Sequence, residues 1–250
     1  MRLTGSMRIL GLAALAVLLL APAPARAATT SLAGKVVFLD AGHNGGNAQH
    51  PEVINKIVDA GNGVRKACDT TGTETNDRRL TEAAFNLSMA IRVQKKLQQR
   101  GATVVMTRTT NDGVGPCITD RAAIGNQANA DAVVSLHADG GRPGGRGFHV
   151  IYPGKIKGSD PARLAASRRL AVLMRSSLWA RGERSATYIG DHGLDERTDL
   201  GGLNLSTRPA IFIEMGNMRN AGDARRMKNG AHREKVAGAI TLGLVRFLRS

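Results

Sequence analysis

Short apolar runs alternate along this chain with longer stretches whose apolar residues recur every three or four positions. Val36-Val37-Phe38-Leu39, Ala102 to Thr107, Ala132-Val133-Val134-Ser135-Leu136 and Pro209-Ala210-Ile211-Phe212-Ile213 are strand-length and nearly free of polar residues, the pattern of strands covered on both faces. Phe148-His149-Val150-Ile151-Tyr152 alternates, which predicts a strand with His149 opposite Phe148 and Val150, on the surface or sheet face rather than among ligands. Helical spacing runs from Thr81 to Gln99 through Leu80, Ala84, Leu87, Ile91 and Leu97, with Gly101 as a stop. It recurs from Arg121 to Ala128 behind Asp120 as N-cap, and from Ala224 to Leu248. From Pro161 to Arg181, Leu164, Leu170, Leu173, Met174 and Leu178 form an apolar stripe, arginines take the solvated face and Trp179 packs at the end. Strand, helix and strand in succession imply right-handed crossovers. The expected fold class is α/β, one domain of three layers, with a mostly parallel sheet of about six strands between helices.

Three stretches lack either period. Residues from about 45 to 81 are too long for a plain connection and read as a flexible flap over a site, with Gly61-Asn62-Gly63 turning a short hairpin. Asp139 to Gly147 is glycine-rich and expected to be flexible. Gly182 to Thr207 is expected to be irregular, with His192, Asp195 and Glu196 either lining a groove or merely solvated.

Ahead of this pattern stand Arg2 and Arg8, the apolar run Ile9 to Leu20, and Ala25-Arg26-Ala27. That is the layout of a cleaved secretory signal peptide over residues 1–27, which leaves residues 28–250 as one catalytic-sized domain with no separate wall-binding module. The apolar run is short for a membrane span, so no stable membrane insertion is expected after cleavage, and the protein is read as secreted, in periplasm or cell wall. Without Arg2, Arg8 and Arg26 the net charge falls from +15 to about +12, a field that attracts polyanions. Export and the scarcity of aromatics for base stacking disfavour nucleic acid and leave acidic envelope polymers as partners. Cys68 and Cys117 are the only cysteines, and in an exported chain the pair reads as a disulfide.

The chemistry gathers at strand ends. His43, His137 and Glu214 each close an apolar run, and Glu82 opens a helix with Asn86 one turn behind it. Loops leaving the carboxyl ends of parallel strands converge on a crevice. Two histidines and one carboxylate make a known zinc set with a position left for water, and a further carboxylate is needed as a base. For each residue taken alone a bland role competes: Glu82 also suits a helix dipole, and Arg121 also suits an ion pair with Asp120 or Asp139.

Leu39-Asp40-Ala41-Gly42-His43, Glu82 with Asn86-Leu87, Ser135-Leu136-His137-Ala138-Asp139 and Pro209-Ala210-Ile211-Phe212-Ile213-Glu214-Met215-Gly216, in this order, resemble the zinc-dependent N-acetylmuramoyl-L-alanine amidases of the Amidase_3 type. The chain looks most like their small single-domain mycobacterial members, from about Gly34 to the C-terminus. The resemblance implies one Zn2+ per chain held by His43, Glu82 and His137, Glu214 as the catalytic glutamate, and hydrolysis of the amide between the lactoyl group of N-acetylmuramic acid and L-alanine of peptidoglycan. It implies that zinc acidifies a water whose proton Glu214 takes and passes to the alanine nitrogen, with Arg121 and Asn86 as candidate substrate contacts and a monomer as the default. Glu74, in the flap, competes with Glu82, which is preferred because the helical register and Asn86-Leu87 match. Where the family has Asp-Pro-Gly-His-Gly this chain has Asp40-Ala41-Gly42-His43-Asn44, and Gly-Phe-Leu-Ser-Asn becomes Gly216-Asn217-Met218-Arg219-Asn220. Two other functions share parts of this pattern: a non-catalytic wall-binding or regulatory protein, and a zinc carboxypeptidase of wall peptides.

Overall fold

The computed structural model describes Met1 and residues 31–250; the expected signal peptide lies almost wholly outside the described residues. The apolar runs form β1 (Val36–Ala41), β4 (Thr103–Met106), β5 (Ala132–Asp139), β6 (His149–Pro153) and β8 (Ala210–Asn217). With β7 (Leu194–Arg197) they make a six-stranded sheet in the order β4-β1-β5-β8-β6-β7. β4, β1, β5 and β8 are mutually parallel, while β6 runs antiparallel to β8 and carries β7 parallel to itself. A separate hairpin pairs β2 (Ile57–Asp59) with β3 (Arg65–Ala67). The helices are α1 (Pro51–Ile54), α2 (Glu82–Gln98), α3 (Ile118–Gln127), α4 (Pro161–Trp179), α5 (Gly201–Asn204), α6 (Ala221–Lys228) and α7 (Gly230–Leu248). Among the described residues none is long and apolar enough to cross a membrane.

Strand alternation divides the apolar residues between two layers. Val37, Leu39, Val134, Leu136, Val150, Ile211 and Ile213 share one buried cluster with Val93 and Leu97 of α2, Leu170 and Met174 of α4, and Ile240 and Leu244 of α7. Phe38, Val133, Ile151 and Ala210 meet Leu203 of α5, with Ile124 of α3 and Phe212 packed against them. The second layer is thinner, and at the carboxyl ends of the strands it gives way to polar side chains. That gap is where the candidate site sits.

Several sequence expectations need correction. α3 begins behind Cys117, not Asp120, because the turn that delivers Cys117 starts the helix earlier. On α2, Ile91 is exposed and Ala84 only half-buried, while Met89 and Val93 are buried; apolar residues stand on most sides of this helix, so spacing alone does not choose the inner face. The C-terminal helix is two helices, broken where Asn229 accepts from the His232 amide as a new N-cap. Residues 194–197 form an edge strand, too short and too charged to announce itself. Trp179 is 42 % exposed rather than packed inside, with the Arg175 guanidinium 4.4 Å from its ring centroid.

The expected flap carries more order than its composition suggests. Gly61, Asn62 and Gly63 all have positive φ, and they turn the hairpin as expected. Lys66 Nζ donates to Asp199 at 3.0 Å, and Asn204 Nδ2 donates to the Ala60 carbonyl at 3.0 Å, which ties the hairpin to α5 and the segment before it. The disulfide joins Cys68 to Cys117, with Cys68 fully buried. The glycine-rich segment after β5 is held too: Asn217 Nδ2 donates to the carbonyls of Arg142 and Gly145, each at 2.8 Å.

Candidate metal centre and active site

Four elements bring the candidate residues together. β1 ends at Ala41, and Gly42 then passes so close to the His137 ring that a Cβ there would collide with it. His43 follows in the left-handed region at φ 58°, a conformation uncommon for a non-glycine residue. Its ring stands edge-on to that of His137, with centroids 5.0 Å apart. Thr81 caps α2, its hydroxyl accepting from the Ala84 amide, and sets Glu82 in the first turn, where the helix dipole favours a carboxylate. His137 lies on Phe212, with centroids 5.1 Å apart and planes 12° from parallel.

His43, Glu82 and His137 offer donor atoms that all lie within 4.8 Å of one another. Glu82 Oε1 is 3.3 Å from His43 Nε2 and 2.9 Å from His137 Nδ1. The other oxygen, Oε2, accepts from the Thr73 amide at 2.9 Å. Glu74, the competing acid, instead approaches Arg78 at 3.4 Å and has no place in this cluster. Asn86 Nδ2 donates to the Gly42 carbonyl at 3.2 Å and approaches Glu82 Oε1 at 3.4 Å, so it ties α2 to the end of β1. Gly72 is required as well: at φ +71°, its Cβ would fall 2.8 Å from His43 Cδ2 and 2.9 Å from Glu82 Oε2.

Burial opposes the His43 imidazolium, but the carboxylates of Glu82 and Asp69 outweigh it and raise its pKa to about 10. Burial would likewise raise Glu82, yet the facing histidines bring it well below the usual range. A cation held by these donors would take the place of the imidazolium proton beside Glu82. Glu214 is the contrasting carboxyl. Burial pushes its pKa well above the ordinary value, and the charges of Glu82 and Asp139 push the same way. It pairs in register with His137 across β5 and β8, and its Oε2 is enclosed with no hydrogen-bond partner. Two carboxyls so close with pKa values driven apart are suited to different tasks, one as ligand and one as base.

Sequence reasoning missed Asp69 and Arg108, which brace the centre, and the partners that Arg121 takes. Asp69 Oδ1 is 3.1 Å from His43 Nδ1. Arg121 donates to Asp40 at 2.7 Å and to Asp69 at 2.9 Å, which makes it the buried ion pair it was alternatively read as, with different acids. Burial alone would raise Asp40; Arg121 chiefly overrides that and holds it at about 2. Arg108, also buried, donates to the carbonyls of Ala41, Gly42 and Ala83 and so gathers the end of β1 and the start of α2. None of these carries a local signal, because the partners that tie each to the centre lie tens of residues away. Of the two places expected for His149, surface or sheet face, it takes the sheet face and is 1 % exposed. His192 is exposed and remote from the cluster's contacts, pairing only with its neighbour Asp191.

A cavity of about 320 Å³ opens beside His43 and His137, lined further by Lys66, Ile118, Leu200 and Phe212. The hairpin, α3 and the α5 segment thus wall a largely apolar groove that ends at the cluster, the concave setting of a ligand site.

Comparison with known proteins agrees with this geometry. The family described as N-acetylmuramoyl-L-alanine amidase, Amidase_3, matches residues 37–246. The chain is 39 % identical over 224 residues to N-acetylmuramoyl-L-alanine amidase Rv3717 of Mycobacterium tuberculosis, covering 90 % of each chain. The crystal structure of the amidase Ami1 from Mycobacterium smegmatis superposes with a TM-score of 0.82 at 41 % identity, over 88 % of this chain and 99 % of that one. Apo Ami1 from Mycobacterium abscessus gives a TM-score of 0.82 at 43 % identity, over 87 % and 100 %. A match across nearly the whole sheet, on strands that end in these side chains, means that the chain belongs to the Amidase_3 family of N-acetylmuramoyl-L-alanine amidases, enzymes acting on peptidoglycan.

Proposed function

We propose that the protein is a zinc-dependent amidase that separates the stem peptide from the glycan at the lactoyl–alanine amide, with His43, Glu82 and His137 holding one zinc ion. The observation that carries this reading is the convergence of those three donors within 4.8 Å, with Glu214 in register beside His137. The donor set fits the metal: two imidazoles share one carboxylate oxygen, and three protein ligands leave a position free for chemistry. Zinc, when bound, supplies a Lewis acid that acidifies water and polarises the amide carbonyl.

The chain's own residues do the rest. Glu214 accepts the proton of the attacking water at its carboxylate and returns it to the departing alanine nitrogen, and the burial and neighbouring carboxylates that raise its pKa strengthen its hold on that proton in between. Asp69 holds the Nδ1 side of His43, leaving Nε2 toward the centre. Asn86 positions Glu82, and Arg121 acts as a scaffold because its guanidinium is committed to Asp40 and Asp69. The groove beside His137 receives the substrate.

In this reading the chain is exported by its leader, works as a monomer in cell-wall turnover or daughter-cell separation, and is drawn to acidic wall polymers by its charge, so wall association weakens with added salt. Mass spectrometry of muropeptide digests, with zinc measured in the same sample, tests it. Free stem peptides beginning with alanine and about one zinc per chain are expected. Shortened stem peptides still attached to muramic acid would indicate a carboxypeptidase, and intact muropeptides without zinc a binding protein. His43→Ala loses both metal and activity. Glu214→Ala keeps the zinc, and a Glu214→Ala protein as fast as wild type would overturn the mechanism.

A further inference from the structure

His149 is a buried ionisable side chain to which the mechanism above gives no task. It opens β6 and is 1 % exposed, and its Nδ1 is enclosed with no hydrogen-bond partner. A buried imidazole nitrogen left unpaired is costly, and such groups are uncommon in folded proteins. Its place in the sheet supplies the reason for tolerating it. β6 runs antiparallel to β8, and the register sets His149 directly across from Glu214. Side chains at such a pair lie on the same face with Cβ atoms about 5 Å apart. On the other side of β8 the residue level with Glu214 is His137. Glu214 therefore stands in a row of three, between a candidate zinc ligand and an uncommitted histidine, and its own Oε2 is the other unpaired atom in that row.

The surroundings hold the His149 ring without saturating it. Tyr188 meets it edge-on with centroids 6.3 Å apart, and the Tyr188 hydroxyl donates to Asp139 at 2.9 Å. Gly141 leaves room for the tyrosine, since a Cβ there would come within 2.8 Å of its ring. The charges acting on His149 are Asp139 and Arg197, and burial outweighs Asp139 to lower its pKa to about 4. Near neutrality the ring is uncharged, with one nitrogen that donates and one that accepts.

We propose that His149 is a positioning residue for this amidase: its ring hydrogen-bonds the enclosed carboxyl oxygen of Glu214 and holds that carboxyl at the reaction centre. The bond forms in the substrate complex, where catalytic hydrogen bonds that are loose in the free enzyme tighten. The proposal rests on the reading of Glu214 as the proton-transferring group.

The test uses zinc-loaded protein and a defined muropeptide. His149→Phe keeps the ring's bulk and removes its hydrogen bonding. The expected result is a kcat lower by about 10-fold to 100-fold, with KM and zinc content close to wild type. His149→Asn, which returns a polar atom near the Nδ1 position, recovers most of the lost kcat. A purely structural ring would lower thermal stability without this split between kcat and KM and without rescue. A His149→Phe kcat within about 2-fold of wild type, or an Asn variant no better than the Phe variant, overturns the proposal. If His149→Phe does not fold, His149→Val takes its place in the same comparison. Glu214→Gln is assayed in parallel. Should it stay active, the assignment of Glu214 fails and takes this proposal with it; an inactive Glu214→Gln beside a fully active His149→Phe overturns the role of His149 alone.

Discussion

The two faces of the sheet have opposite characters at the same strand ends. On the face toward α2, α4 and α7, Leu39 and Ala41, Leu136 and Ala138, and Ile213 and Met215 remain apolar to the last residues. On the other face the interleaved positions change from Phe38 to Asp40, from Val133 to Ser135 and His137, and from Phe212 to Glu214. One face is a packing surface along its whole length, while the other packs at the amino ends and carries the candidate site at the carboxyl ends. The division shows how a strand buried on both sides can carry catalytic groups without giving up its core: alternate residues serve different layers.

Substitutions on either face should break that division in different ways. The largest effect is expected from Glu214→Gln, which should lower kcat by 10³-fold or more, roughly the upper range for loss of a general base, with zinc content unchanged by metal analysis. Gly42→Ala comes next. Its methyl would occupy the space of the His137 ring, so zinc affinity should fall by about 10-fold to 100-fold in a chelator competition, as for other disturbances of metal-supporting residues. Ile213→Ala, one residue from Glu214 but on the packing face and fully buried, should cost about 2–5 kcal/mol in denaturant unfolding while leaving kcat near wild type. Equal losses of stability from Glu214→Gln and Ile213→Ala would erase the distinction between the faces.

The smallest effect is a pH dependence. Asp40 is held at about 2 in the folded chain, below its ordinary value of 3.8, so ionised Asp40 stabilises the fold above the ordinary value. That contribution is lost as pH falls from near 4 through about 2. Asp40→Asn should therefore be less stable than wild type at pH 7, with the gap narrowing across that window in thermal unfolding at stepped pH.

The packing face and the strand-end candidates were legible because their signals are local. Runs such as Val36 to Leu39 and Ala210 to Ile213 mark strands by themselves, and His43, His137 and Glu214 end them in plain view. Glu82 needed the order of four segments. Asp69, Arg108 and the true partners of Arg121 were out of reach, since an arginine that will bind carbonyls of Ala41 and Ala83 looks in the sequence like any solvated arginine. His149 was placed on the correct side of its strand with its exposure left open between surface and sheet face, because alternation tells which face a residue takes and not what covers that face. The cover comes from Tyr188, on a segment with no regular period.

The alternation of β8 also acts as a check on assembly. Glu214 is level with His137 on one neighbour and His149 on the other, while Ile213 and Met215 belong to the packing face. A slip of one residue in β8 would turn the glutamate into the oily layer and present a methyl-bearing side chain to the reaction centre, since a single step exchanges every side chain between faces. A chain misaligned there would lose the core contacts of Ile213 and Met215 and the site position of Glu214 together.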